Sequence, residues 1–218
     1  MEVSEKHPIQ HRFIAIEGNI GAGKTTFSKM LSRDFSCELV LEQFTDNPFL
    51  PYFYEHPERY AFPVELFFMT ERHKQLQEHF GQPSLFGRTT ISDYFFVKTL
   101  LFARNNLNEE EFRLFQRLFN VLNNQFPNPD LLVYLYRPVD DLLKNIRRRG
   151  RAYELDIKPD YLESIQKAYL SYFRNLSKTP VLILDISGIS FWEDSLAYKK
   201  MVQVIQKSYP PGYHQISL

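Results

Sequence analysis

Short, nearly continuous apolar runs alternate along this chain with longer stretches whose apolar residues recur every three or four positions. The short runs are RFIAIE (12–17), CELVLE (37–42), RTTISD (88–93), DLLVYLYR (130–137) and PVLILDI (180–186). Runs of this length read as strands, and those that are apolar at nearly every position read as strands covered on both faces. The periodic stretches read as helices. They are GKTTFSKMLSRDF (23–35), FPVELFFMTERHKQLQEHF (62–80), YFFVKTLLFARNN (94–106), NEEEFRLFQRLFNVLNNQF (108–126), PVDDLLKNIRRRG (138–150), KPDYLESIQKAYLSYFRNL (158–176) and residues 190–208. The first places Phe27, Met30 and Leu31 on one face; the second carries Pro63 in its first turn, where a missing N–H costs little. Pro48, Pro51 and Pro57 break the stretch 47–60 into short helix and loop. Strands separated by helices predict an α/β fold, a five-stranded parallel sheet flanked by helices on both faces. No repeat, low-complexity tract or long linker divides the 218 residues, so 1–218 is expected to be a single domain.

Composition narrows the partners. Lys plus Arg and Asp plus Glu both total 26, so no bulk field draws the chain to nucleic acid or an anionic membrane, and neither is expected as a partner. No apolar stretch approaches the roughly 20 residues of a membrane span. The start, MEVSEKHPIQHRF, lacks the apolar core of a signal peptide. One cysteine, Cys37, excludes an internal disulfide and, in a strand-like run, is expected to pack. A soluble, cytoplasmic protein is expected. Twenty Phe and thirteen Tyr supply more rings than a core needs, so some are available to stack on a planar ligand. The six His show no metal-like spacing, and His73 and His79 fall on the exposed run of a helix.

The densest chemical signal is EGNIGAGKTT, residues 17–26. Gly18-x4-Gly23-Lys24-Thr25 fits the phosphate-loop pattern, with a strand before it and a helix after it. Gly18, Gly21 and Gly23 let the N–H groups of Asn19, Ile20 and Ala22 turn inward onto phosphate oxygens. Lys24 places a compact charge at the β and γ phosphates, and Thr25, with Thr26 beside it, supplies a hydroxyl able to ligate Mg²⁺. ATP and Mg²⁺ are the implied cofactors. A phosphate loop alone does not separate a switch, a motor and a small-molecule kinase.

NIGAGKTT, DNPFL, FYEHPERYAF and RGRAYE resemble the deoxynucleoside kinase family, most closely its bacterial branch, over about residues 12–191. The resemblance implies a P-loop kinase fold, transfer of the ATP γ-phosphoryl to a deoxynucleoside 5′-OH, and a homodimer joined through long helices. Glu42, at the end of the second strand run, matches the family's general base. A carboxylate at the C-terminal edge of a parallel strand points into the ligand crevice, where it can take a hydroxyl proton. Asp93, ending the third run, matches an acid that supports Mg²⁺ and orients phosphates; it is also placed to cap the following helix. Tyr94 departs from the family, which has Arg there, so either Tyr94 itself or a nearby Arg such as Arg88 stands in, or turnover is slow. Residues 147–154 resemble the start of an Arg-rich lid, about 147–156, whose Arg149 and Arg151 meet phosphoryl oxygens and whose Glu154 accepts from the sugar 3′-OH. Tyr54 matches a tyrosine that also meets the 3′-OH.

Glu65 and Arg72, seven residues apart on one helix face, match base-facing positions where the family has Gln and Arg. The Asp that partners this Arg in the family is replaced by Thr99. Phe44, Phe62 and Phe102 are candidate stacking walls. Ionised Glu65 only accepts hydrogen bonds, and guanine alone presents two adjacent donors on its Watson–Crick edge; protonated, Glu65 mimics Gln and suits adenine. A purine acceptor, deoxyguanosine or deoxyadenosine, is therefore expected. Two other readings stand beside this one. A nucleoside monophosphate kinase would need extra basic residues for the acceptor's phosphate, and the acidic Glu42 and Glu65 oppose that. A non-catalytic nucleotide-binding regulator is suggested only by Tyr94.

Overall fold

The computed structural model describes residues 9–43, 47–81, 88–123 and 126–218. Its elements in chain order are β1 (Phe13–Gly18), α1 (Lys24–Phe35), β2 (Glu38–Val40), α2 (Leu50–Phe53), α3 (Pro57–Phe80), β3 (Thr90–Ser92), α4 (Lys98–Asn106) and α5 (Glu109–Asn123). There follow β4 (Leu131–Tyr136), α6 (Val139–Arg149), a 3₁₀ turn (Ala152–Glu154), α7 (Pro159–Arg174), β5 (Pro180–Asp185), α8 (Ser195–Ile205) and β6 (Gly212–Ser217).

The strands form one sheet in the order β2-β3-β1-β4-β5-β6, and every neighbouring pair is parallel. The expected five strands are therefore six. β6 escapes a search for apolar runs because GYHQIS is largely polar. It lies at the sheet edge, paired among the described residues only with β5, and its residues are half-buried except for the exposed Gln215 and Ser217.

Alternate residues of the inner strands feed two cores. Phe13, Ala15, Leu132, Tyr134, Val181 and Ile183 pack against side chains of α3, α4, α5 and α7. Ile14, Ile16, Leu131, Val133, Leu182 and Leu184 pack against those of α1, α6 and α8. This is the two-sided covering that all-parallel sheets require.

Several boundaries differ from those predicted. β2 and β3 have three residues each, so Glu42 and Asp93 lie just beyond their strands. α3 begins at Pro57, whose missing N–H falls in the first turn with Glu58 beside the positive end of the helix dipole. Pro63 therefore sits within the helix. α4 starts at Lys98, so Asp93 is not its cap. His73 and His79 are half-buried rather than exposed. His73 meets the Phe126 ring edge-on at 5.1 Å, and His79 shares a hydrogen bond of 3.0 Å with Thr90.

β1 lies between β3 and β4, with the chain running to opposite sides of the sheet after it. The C-terminal ends of these strands open at a topological switch point, the usual ligand crevice of such sheets.

Candidate active site

The phosphate loop occupies that switch point. Gly23 (φ 97°) caps α1 in the left-handed region, which costs a side chain its backbone freedom. Gly21 (φ 82°) is closed to any other residue, since a Cβ there would stand 2.7 Å from the Leu142 carbonyl oxygen. Four of the loop's carbonyls are drawn to side-chain donors. Lys24 Nζ donates to Gly18 O (2.9 Å) and Asn19 O (3.0 Å), Asn145 Nδ2 to Gly21 O (2.9 Å) and Arg137 Nε to Ala22 O (3.1 Å). With the C=O groups tied back, the N–H groups and the α1 N-terminus are left for an anion. A cavity of about 480 Å³ lies over them, lined by Gly21, Gly23, Lys24, Thr25, Thr26, Asn145, Arg148, Arg149, Arg151 and Trp192 among others. Trp192 and Arg148, unforeseen in the sequence, stack at its rim with the guanidinium 4.3 Å from the ring centre.

Asp93 ties the loop to the strand ends. Thr25 Oγ1 donates to its Oδ2 at 2.5 Å, and the Glu42 N–H donates to its Oδ1 at 2.7 Å. Burial and the Glu42 charge both push its carboxyl up. Burial also brings the Lys24 ammonium down to about 8, with Lys98 adding repulsion against Glu17, Glu42 and Asp93.

Glu42 sits in a clamp of two cations. Its Oε1 accepts from Arg72 Nε (2.8 Å) and Nη2 (2.6 Å), and its Oε2 accepts from Lys98 Nζ (2.5 Å). Burial alone would raise this carboxyl, but Lys98 and Arg72 outweigh it and hold Glu42 well below the usual carboxylate range. A carboxylate has about four lone-pair sites. Among the described residues, Oε1 is filled by the two Arg72 bonds, whereas Oε2 accepts from Lys98 and keeps one site.

Among the described residues that line the site's cavities, Lys98 is present and neither Tyr94 nor Arg88 is. The Tyr94 ring is fully buried in the core, and its hydroxyl pairs with the Gln75 amide at 3.0 Å, away from the cavity. Arg88 precedes β3, at the strand's opposite end. The cation beside Glu42 comes instead from the first residue of α4. Glu17 places it there: its buried carboxylate accepts from the Phe95 N–H (2.6 Å) and the Tyr169 hydroxyl (2.9 Å), fixing the turn that leads into α4. The sequence does hold a trace of this. Lys98 is the lone charged residue in YFFVKTLLFA, a position that solvation alone does not explain.

A second, smaller cavity of about 110 Å³ continues from Lys24, Thr25 and Asp93 to Glu42, Arg72 and Lys98. Its far wall carries Glu65, Tyr54, Tyr161, Phe53, Phe68 and Phe102, and its lid side Arg149, Arg151 and Glu154. The predicted set Lys24, Thr25, Glu42, Tyr54, Glu65, Arg72, Asp93, Arg149, Arg151 and Glu154 is thus brought together in one place. Arg149 and Arg151 (3.1 Å) both pair with buried Glu154. Arg72 Nη1 also donates to Thr99 Oγ1 at 2.9 Å, so the threonine takes up the place of the missing Asp. Burial pushes Glu65 up to about 7, against the pull of Arg72 and of an Asn106 amide that donates to its Oε1 at 2.6 Å. Phe102 lines the cavity, Phe62 packs edge-on against Phe115 instead, and Phe44 lies outside the described residues.

The chain is similar to known proteins over most of its length. The model of the family described as "Deoxynucleoside kinase" matches residues 14–209. A deoxyguanosine kinase of Bacillus subtilis is 33% identical over 180 residues, 82% of this chain and 87% of that protein. A deoxyadenosine/deoxycytidine kinase of the same organism is 27% identical over 207 residues, 93% and 95% of the two chains. A solved deoxyadenosine kinase from M. mycoides with bound dCTP superposes with a TM-score of 0.73 at 24% identity, covering 88% of this chain and 97% of that one, a likeness of fold. Matched along nearly its whole length, the chain belongs to the deoxynucleoside kinase family.

Proposed function

We propose that the protein transfers the γ-phosphoryl of ATP to the 5′-OH of a purine deoxynucleoside. The observation that carries this reading is the junction of the two cavities, where the phosphate loop, Asp93, Lys98 and the open site on Glu42 Oε2 meet. The triphosphate lies along the loop and the nucleoside fills the smaller cavity. The 5′-oxygen attacks the γ-phosphorus, the bond to the β–γ bridging oxygen breaks, ADP leaves, and the hydroxyl proton passes to Glu42 Oε2. A carboxylate held this acidic suits the task, because phosphoryl transfer passes through a loose transition state that asks for position and charge more than for a strong base. Lys98 takes the part of the family's Arg, stabilising charge on the transferring group.

Thr25 Oγ1 and Asp93 Oδ2, 2.5 Å apart beside the loop, are hard oxygen donors suited to Mg²⁺, which when bound would neutralise phosphate charge. Residues 147–156 act as the lid. There Arg149 and Arg151 move to the phosphates, and Glu154, with Tyr54, takes the sugar 3′-OH. Trp192 and Arg148 offer flat faces to the donor's base. The whole chain, 1–218, works as one domain in the cytoplasm, and as a homodimer. Leu114, Leu118 and Val121, 52%, 39% and 68% exposed, form one apolar stripe on α5 suited to a second copy. The B. subtilis deoxyguanosine kinase and the purine-compatible Glu65 support the acceptor assignment.

Glu42→Gln tests the role of the base. Its amide keeps a contact for Arg72 but turns an N–H toward Lys98, so kcat collapses while nucleoside binding, titrated separately, changes by a few-fold. An unchanged kcat would leave Glu42 a structural carboxylate only.

A further inference from the structure

Glu65 is 2% exposed, and its two oxygens are not equivalent. Oε1 accepts from Asn106 Nδ2 at 2.6 Å, whereas Oε2 is buried in the acceptor cavity with no hydrogen-bond partner among the described residues. Asn106 is itself fixed in orientation. Its Oδ1 accepts from Asn105 Nδ2 at 3.0 Å, and Asn105 Oδ1 in turn accepts from the Ser164 hydroxyl on α7. Three donors therefore run head to tail, from Ser164 through Asn105 and Asn106, and all point at Glu65. Asn106 Nδ2 also lies 3.2 Å from the Tyr161 hydroxyl, which closes the same side of the cavity. In a chain of this kind each bond polarises the next; reversing Asn106 would set its oxygen against Glu65, and reversing Asn105 would set its oxygen against that of Asn106.

We propose that Asn106, oriented by Asn105 and Ser164, is a positioning residue that keeps Glu65 a hydrogen-bond acceptor and so selects the guanine edge, with its two adjacent N–H groups. This rests on the kinase reading above and deepens it. An N–H donor on Oε1 stabilises the ionised carboxylate, leaving Oε2 with lone pairs for guanine N1–H and N2–H. Adenine offers a ring acceptor at N1, which would face that charge. The other groups around Glu65 balance. Arg72 on α3 and Lys98 on α4 favour ionisation, and Glu42 beyond β2 opposes it. Tyr54 and Tyr161 stay neutral, since burial raises both, and Glu154 lines the cavity with its charge met by Arg149 and Arg151. Burial opposes ionisation most strongly and raises the carboxyl to about 7, so the Asn106 donor acts on the same side as Arg72 and Lys98.

The test is the ratio of kcat/KM for deoxyguanosine to that for deoxyadenosine, measured from pH 6 to 8.5. Groups that act on both substrates cancel in this ratio. In the wild type the ratio rises with pH as Glu65 loses its proton. Asn106→Leu, or Asn106→Ser with a side chain too short to reach Glu65, lowers the ratio about tenfold or more at pH 7.5, the cost of an N–H facing a donor. Both variants move the rise to higher pH. Glu65→Gln lowers the ratio and makes it independent of pH. A ratio within about twofold of the wild type in a folded, active Asn106 variant overturns the proposal, as does a wild-type ratio that is flat with pH. Failure of the wild type to phosphorylate any deoxynucleoside overturns the kinase reading instead, and the selectivity inference falls with it.

Discussion

Replacing Lys98 by Met removes one of the two cations that clamp Glu42 and leaves the apolar stem to fill its place. Two effects follow, and the structure sets their sizes. In the ground state Glu42 loses the Lys98 bond but keeps both bonds from Arg72. The partners are 7% and 13% exposed, so little water reaches the vacated oxygen. Losing one charge-assisted hydrogen bond at such a site costs about 1–3 kcal/mol of stability, less than emptying the whole clamp. In the transition state the loss is that of a preorganised donor at developing phosphoryl charge, about 3–4 kcal/mol, or roughly 10²–10³ in kcat. Steady-state kinetics with ATP and deoxyguanosine should show that fall in kcat with a much smaller change in nucleoside KM, and Lys98→Arg should recover part of it. Tyr94→Phe is the control. Its hydroxyl bonds to Gln75 outside the cavity, so kcat should stay within about twofold of wild type while stability drops by about 1 kcal/mol. A folded Lys98→Met enzyme with kcat within threefold of wild type would refute the reasoning, and the more so if Tyr94→Phe were the slow variant.

Lys24→Ala should fold normally and lose activity by orders of magnitude; near-normal turnover would end the phosphate-loop assignment. Because burial and Lys98 bring Lys24 down to about 8, its charge is lost as pH rises through that value. In the wild type kcat/KM for ATP should therefore fall above about pH 8, and kcat only at higher pH, since bound phosphate restores the charge; a plateau of kcat/KM to pH 9.5 would contradict this. Arg149→Ala and Arg151→Ala should each cut kcat about tenfold or more, and a filter-binding assay at physiological salt should detect no retained DNA. Val121→Arg should convert a species of twice 26.0 kDa into one of 26.0 kDa in sedimentation, whereas a wild-type monomer would remove the assigned role of the α5 stripe.

What was legible in the sequence follows from how each residue earns its place physically. Apolar runs betray strands covered on both faces, so β1 to β5 could be read and the polar, one-sided edge strand β6 could not. The phosphate loop was legible because its chemistry is local: glycines, lysine and threonine within eight positions, between a strand and a helix. Pro57 was read as a breaker where it starts a helix, since proline in a first turn and proline in a loop look alike without the fold. Lys98 was hidden because tertiary structure, through Glu17 and the turn at 94–97, carries it back over the strand end. Asn106 left no trace at all; an asparagine at a helix terminus is ordinary, and only the packing of α4 beside α7 sets it against Glu65.

The most direct test of the central claim is to incubate the purified protein with MgATP and each of the four deoxynucleosides or their 5′-monophosphates, and to identify the phosphorylated product by ³¹P NMR. The account predicts the 5′-monophosphate of a purine deoxynucleoside, formed one for one with ADP, and no phosphorylation of the monophosphates. ATP consumed only with the monophosphates, or a phosphoryl group on the 3′-oxygen, would contradict it.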